Sequence, residues 1–238
     1  MLCKSQKEGL ISKLVELFKG IANTEIEEVV KAAKDKIIEI GNQIKESELV
    51  SLFNNQIQTL KDRGCLETIL NMLQEQRGSV VEKAKKMTFK EGRVPFLPVI
   101  PRIYLSIYTQ MAMVKYGSNS GYTYLDVAQL SDVADTPNKP YFIFDVEDGT
   151  EMLAKSPRDA KKLIEAQDNR RYLIDVEVIS LGIHTDVLSR HCVDASGSRY
   201  RSDCVPGLYL SDDKPRLGWC CLDDGNNRWG SASCSSKN

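Results

Sequence analysis

Apolar residues at Ile26, Val30, Ala33, Ile37, Ile40 and Ile44 recur with spacings of 4, 3, 4, 3 and 4, while Glu25, Glu27, Glu28, Lys31, Lys34, Asp35, Lys36 and Glu39 fill the positions between them. That period predicts an amphipathic helix, opened by the capping pair Thr24 and Glu27 and weakened at Gly41. The seam covers fewer than three heptads, which favours packing on a neighbouring helix; self-association through the same six residues is the alternative. Further helices are predicted over 49–61, 65–75 and 79–86, separated by the turns Arg63-Gly64 and Arg77-Gly78.

From Val94 the period shortens. Residues 94–100 read as a buried strand, 104–114 as a short apolar helix and 121–125 as another strand, after which Asp126 caps a short helix to Ala134. Asp135-Thr136-Pro137-Asn138-Lys139-Pro140 is dense in turn formers and marks a boundary. Beyond it, 141–146 predicts a strand closed by Glu147-Asp148-Gly149. Ser156-Pro157-Arg158-Asp159 predicts a helix start, with serine at the cap and proline at the first helical position. Helices follow over 175–181 and 185–190, then strands near 193–195, 205–210, 216–222 and 229–233, divided by Asp, Gly, Asn and Ser turns. Short strands so divided imply an antiparallel meander. The expected fold is therefore α+β: a helical N-terminal segment, then an α/β region with a mostly antiparallel C-terminal sheet and helices packed on it. The expected divisions are 1–48, 49–136 and 137–238, with 49–238 as one domain the alternative.

Composition narrows the function classes. At 238 residues, 42% hydrophobic and 27% charged, the chain has the balance of a globular protein. A net charge of −1 gives no global attraction to nucleic acid or to an anionic membrane. The most apolar stretch, 94–114, carries Pro95, Pro98 and Pro101, which a spanning helix would not tolerate. Lys13 and Glu16 interrupt the first apolar run, so no secretory core is read there. The odd set of seven cysteines (3, 65, 192, 204, 220, 221, 234) then fits reduced thiols in a cytoplasmic protein.

The chain lacks the phosphate-loop, dinucleotide, His-Glu-x-x-His, Gly-x-Ser-x-Gly and Cys-x-x-Cys signatures. What remains is a cluster of His191, Cys192, Cys204, Cys220, Cys221 and Cys234. His191, Cys204, Cys220 and Cys234 total four ligands of types suited to zinc, but without knuckle spacing, and buried inert thiols are the favoured reading. A Cys192 nucleophile would need a base: His191, as its immediate neighbour on a strand, points away, leaving His184. Asp145, Glu147 and Asp148, and the later run Asp223-Asp224-Gly225-Asn226-Asn227, offer oxygen ligands without the spacing of a calcium loop. Trp219 and Trp229 flank one turn and are expected to face each other across a hairpin near Arg199. Ser198 and Arg199, in Ser196-Gly197-Ser198-Arg199, are candidate ligand contacts, although a plain turn is the favoured reading.

These C-terminal segments together resemble a known pattern. Asp145-Val146-Glu147-Asp148-Gly149, Ser156-Pro157, His191-Cys192, Gly197-Ser198-Arg199, Val205-Pro206-Gly207-Leu208-Tyr209-Leu210, Gly218-Trp219-Cys220 and Trp229-Gly230-Ser231-Ala232-Ser233 resemble an uncharacterised family of bacterial and archaeal proteins. The resemblance runs from about Pro140 to Ser233 and more loosely back to Leu52. Arg190 and Cys221 depart from it, standing where the family often has Asn and Trp. It implies no activity, cofactor or substrate. The leading expectation is a non-catalytic binding or interaction protein using Trp219, Trp229 and Arg199. The alternative is a metal- or thiol-dependent enzyme built on His191, Cys192 and Cys220.

Overall fold

The computed structural model describes residues 23–236, with side chains from 28 onward. Cys3, Ile26 as a seam side chain, and any helix within 1–22 lie outside the described residues. The described residues divide into two units between Glu48 and Leu49. Among the described residues no helix is long and apolar enough to cross a membrane.

Helix α1, Asn23–Asp62, runs through both Thr24 and Gly41 and joins two helices that the sequence pattern separates. No strong breaker stands between 44 and 49, and one glycine costs a helix only about 1 kcal/mol. Within 28–48, Ile40 and Ile44 are exposed, whereas Val30, Ala33 and Ile37 are half-buried. In the second unit Leu49, Phe53, Gln56, Ile57 and Leu60 form a buried stripe at helical spacing. Gly64, at φ +85°, ends the helix, and the Cys65 N–H caps the Leu60 carbonyl. Helix α2, Glu67–Gln74, and helix α3, Arg77–Lys86, follow. Gly78 lies inside α3 rather than in a turn, because the Ser79 hydroxyl and the Val80 N–H both donate to the Gln76 carbonyl and close its first turn.

The core lies around β1, Val94–Val99, paired antiparallel with β6, Tyr141–Val146. Phe53 stacks on Phe142 with ring centroids 5.3 Å apart, and Phe96 meets Phe142 edge-on. Between these strands come α4, Ile107–Met113, capped by the Ser106 hydroxyl, and the short strands β2, Lys115–Tyr116, β3, Asn119–Ser120, and β4, Tyr122–Thr123. Asp126 does cap a single 3-10 turn, but the chain then forms strand β5, Leu130–Asp132, instead of continuing as helix. Helix α5, Pro157–Glu165, starts as expected, with the Ser156 hydroxyl accepting from the Asp159 N–H at 3.2 Å. Strand β7, Arg170–Tyr172, precedes α6, Asp175–His184, in which every residue from Asp175 to Ile183 is buried.

The C-terminal sheet contains β8, Cys192–Asp194, β9, Ser198–Tyr200, β10, Cys204–Ser211, β11, Lys214–Cys221, and β12, Trp229–Ser231. Its order is β12-β8-β10-β11-β4, with β5 and β9 added beside β10. Strand β13, Ser233–Ser235, pairs with β7 instead. Pairing is mostly antiparallel, so the α+β expectation holds; β12 on β8 and β4 on β11 are parallel exceptions. The tight β10–β11 hairpin turns at Asp212 and Asp213, whose φ values of +50° and +58° suit the twist of a two-residue connection. Leu208, Leu217 and Val193 form the face packed toward α6, where Gly182 leaves room for the Leu208 side chain.

Candidate functional site

Strand alternation assigns the opposite face of that sheet. The register Gly207↔Asp194, Gly207↔Gly218, Tyr209↔Arg216 and Trp229↔Cys192 places Cys192, Asp194, Gly207, Tyr209, Arg216, Gly218, Cys220 and Trp229 together on it. Two glycines make room for two rings. A methyl at Gly207 would meet the Trp229 indole at 2.5 Å, and one at Gly218 would meet the Tyr209 hydroxyl at 2.7 Å. Glycine inside a strand is costly unless something must approach closely, which is the case here. Tyr209 and Trp229 touch, with centroids 5.3 Å apart.

Trp219 and Trp229 do not face each other across a hairpin. β12 pairs with β8, so two strands, β8 and β10, separate it from β11; a loop at 222–228, held by Asn226, carries the chain between them. Both tryptophans nevertheless line one pocket of about 370 Å³ with Tyr209, Cys220, Cys221, Asp224 and Asn226. A second pocket, of about 270 Å³, adjoins it and includes Tyr124, Tyr200 and Arg216; Tyr209 and Trp219 line both. β4 covers β11 only at Arg216 and Leu217, which leaves 218–221 at an edge and Trp219 50% exposed.

The polar groups on this face are under-partnered. Asp194 is fully buried, accepts one hydrogen bond from the Cys220 thiol at 3.0 Å, and its Oδ2 has no partner. Burial outweighs that bond and pushes the Asp194 carboxyl up to about 7. Burial, then the neighbouring carboxylate, push the Cys220 thiol far above the usual range. Cys192 is raised by burial against the opposing pull of Arg228. A raised thiol is a poor nucleophile at neutral pH.

Other predicted positions lie elsewhere. The His191 Nε2–H donates to the Asp148 carbonyl at 3.0 Å, within a turn whose Asp148 carboxylate also holds Arg190 at 2.7 Å. His184 is on α6, with Nε2 buried and unpartnered; burial and then Arg63 lower its pKa to about 3. Cys192 is on the sheet face turned away from α6. Cys204 stands opposite Cys221 at the end of the hairpin, and Cys234 is buried on β13. Among the described residues no three His, Cys, Asp or Glu side chains gather to hold a metal ion, so His191, Cys204, Cys220 and Cys234 form no ligand set.

Asp145 and Glu147 are not open oxygen ligands either. The Asp145 carboxylate is held by Arg93 and Arg170, each at 2.7 Å, and Glu147 accepts from the Glu151 N–H. Ser198 is buried: its hydroxyl accepts from the Asp175 N–H and donates to Asp132. Arg199 donates to the Ser196 and Ser198 carbonyls. The expected Gly-Ser-Arg turn is thus the entry to strand β9, and it ties that strand to α6. Gly230, from the terminal motif, lies against the backbone of Gly149.

Asp194, Tyr209, Arg216 and Tyr124 escape a motif search. The signal was a period-2 pattern on both hairpin strands, Gly207-x-Tyr209 and Arg216-x-Gly218: small residues alternating with a ring or a cation across from each other.

The fold and this face define an α+β domain with an aromatic, partly open pocket. The model of a family described as "Family of unknown function (DUF5701)" matches residues 49–238, and the chain belongs to that family. No curated protein and no solved structure matches it.

Proposed function

We propose that the chain is a non-catalytic binding protein of the cytoplasm whose ligand lies on the aromatic face of the C-terminal sheet. The observation that carries this reading is the junction at Tyr209 and Trp219: two adjoining pockets share these residues at the exposed edge of β11, with Trp229 packed against the Tyr209 ring. Aromatic walls with few, localised polar groups are the usual make-up of a small-molecule site. Exposure supports it, because Tyr124 is 80% and Trp219 50% exposed. Ser198 and Arg199, the other candidate contacts, support the site indirectly by fixing β9, whose Tyr200 lines the second pocket.

The thiol-enzyme reading has less support. His191 engages Asp148 rather than a cysteine, and the Cys220 thiol is held protonated. The exposed Ile40 and Ile44 keep self-association through the α1 seam as a separate proposal, checked by sedimentation over a range of concentrations.

The test is a screen of small aromatic compounds read by the indole N–H signals of the two tryptophans in a ¹⁵N–¹H spectrum. A compound that binds as proposed shifts the Trp219 signal and loses affinity at least tenfold in Trp219→Ala. Shifts confined to signals from other parts of the chain would remove the site.

A further inference from the structure

Arg216 is the unusual cation of this protein. Its guanidinium carbon lies 5.8 Å from the Tyr122 ring centroid, 5.9 Å from Tyr124 and 5.8 Å from Tyr209. Three rings within about 6 Å hold the side chain by cation–π attraction and fix the plane of its fork. Yet among the described residues no carboxylate pairs with it, and its Nε is buried without an acceptor. Arg93 and Arg170 also leave Nε without an acceptor, but they, like Arg102, Arg171 and Arg190, meet an Asp or Glu at 2.6–2.7 Å, and Arg63 and Arg199 donate to backbone carbonyls, whereas Arg216 is held by rings alone. A cation oriented by rings, half-buried and lacking a counter-charge is what an anion site requires before its anion arrives.

Resting on the binding reading above, we propose that the pocket of Arg216 binds a small aromatic monocarboxylate, its carboxylate on the Arg216 fork and its ring against Tyr209 and Tyr124 beside the β11 edge that carries Trp219. Three observations set the class. Arg216 is the pocket's only cationic lining residue, which matches one negative charge better than a dianion. The rest of the lining is dominated by rings, which favours a planar apolar body. The volume of about 270 Å³ falls just under the range of roughly 300–1,000 Å³ that holds drug-sized ligands, so the acid is small.

The probes are phenylacetate, phenylacetamide and inorganic phosphate, titrated into the full ¹⁵N-labelled chain with the two tryptophan indole signals as readout. Phenylacetate is expected to shift the Trp219 signal with an affinity at least tenfold above that of the amide, and Arg216→Gln is expected to erase the difference while the wild-type pattern of backbone signals persists. Equal shifts from acid and amide would overturn the carboxylate and leave the aromatic site standing. Phosphate acting as strongly as phenylacetate would overturn the aromatic acid in favour of a bare anion. Indole signals that none of the three probes moves would overturn both the acid and the site. The acid–amide comparison in the wild-type chain keeps the proposal falsifiable even if the Arg216 variant misfolds.

Discussion

Two polar regions of this protein are built on opposite rules. Around the β6 turn and the start of α6, charges are buried and paired: Arg102 bridges Asp175 and Asp132, Arg93 and Arg170 share Asp145, Arg171 holds Glu177, and Ser198 fills a vacant acceptor and donor between them. On the aromatic face, Arg216 has rings but no anion, and Asp194 has one thiol and an orphaned oxygen. Leaving a buried polar group unpaired costs about 1–3 kcal/mol. The first region also leaves single atoms without partners, Arg93 Nε, Asp145 Oδ1 and Arg170 Nε among them, but each of its arginines meets a carboxylate, and Arg216 meets none. The residues singled out in the sequence divide the same way: His191, Gly197, Ser198, Arg199 and Gly230 hold the first region together, whereas Trp219, Cys220 and Trp229 line the second.

The paired region is the more costly of the two to disturb. Arg102→Ala leaves Asp175, wholly inside the protein, without its counter-ion, and is expected to cost about 3–5 kcal/mol in chemical denaturation. A loss below about 1 kcal/mol would show that the network is not what holds α6 to β5.

Asp194 offers the opposite sign. Its carboxyl sits near 7 in the folded protein against about 3.9 unfolded, so the folded state keeps a proton that the unfolded chain releases. The stability contribution is whole below about pH 4 and is lost as pH rises through 7. Three units at about 1.4 kcal/mol each set an upper bound of about 4 kcal/mol. Asp194→Asn should therefore gain stability over the wild type progressively between pH 4 and pH 7 and hold that gain at pH 8. A constant difference across that range would place the ionisation elsewhere.

Gly207→Ala drives a methyl into the Trp229 indole. It is expected to cost about 1–3 kcal/mol and to shift the Trp229 indole signal while leaving that of Trp219 close to its original position. Equal displacement of both would mean that the two rings move as one unit.

Much of the fold is legible in the chain because its cues are local. Ser156-Pro157 caps α5 as read, the apolar run 141–146 forms β6, and the stripe at 49–60 is a buried helix face. What escaped is set by partners distant in sequence. β5 forms because Leu130–Asp132 pairs with β9, some seventy residues on, and the tryptophans part because β12 finds β8 rather than β11. The site was half legible for the same reason. Trp219 and Trp229 stand out by rarity, but Arg216 draws its meaning from Tyr122 and Tyr124, which only the parallel pairing of β4 with β11 brings to it.

The most direct test of the division between fold and site is a thermal melt of Arg216→Gln beside Ser198→Ala. Arg216 supports no ion pair, so its variant should melt within the span of about 1 kcal/mol from the wild type; Ser198→Ala strands a buried N–H and should melt several degrees lower. An Arg216→Gln protein that melts as low as Ser198→Ala would make that cation part of the scaffold and contradict the account.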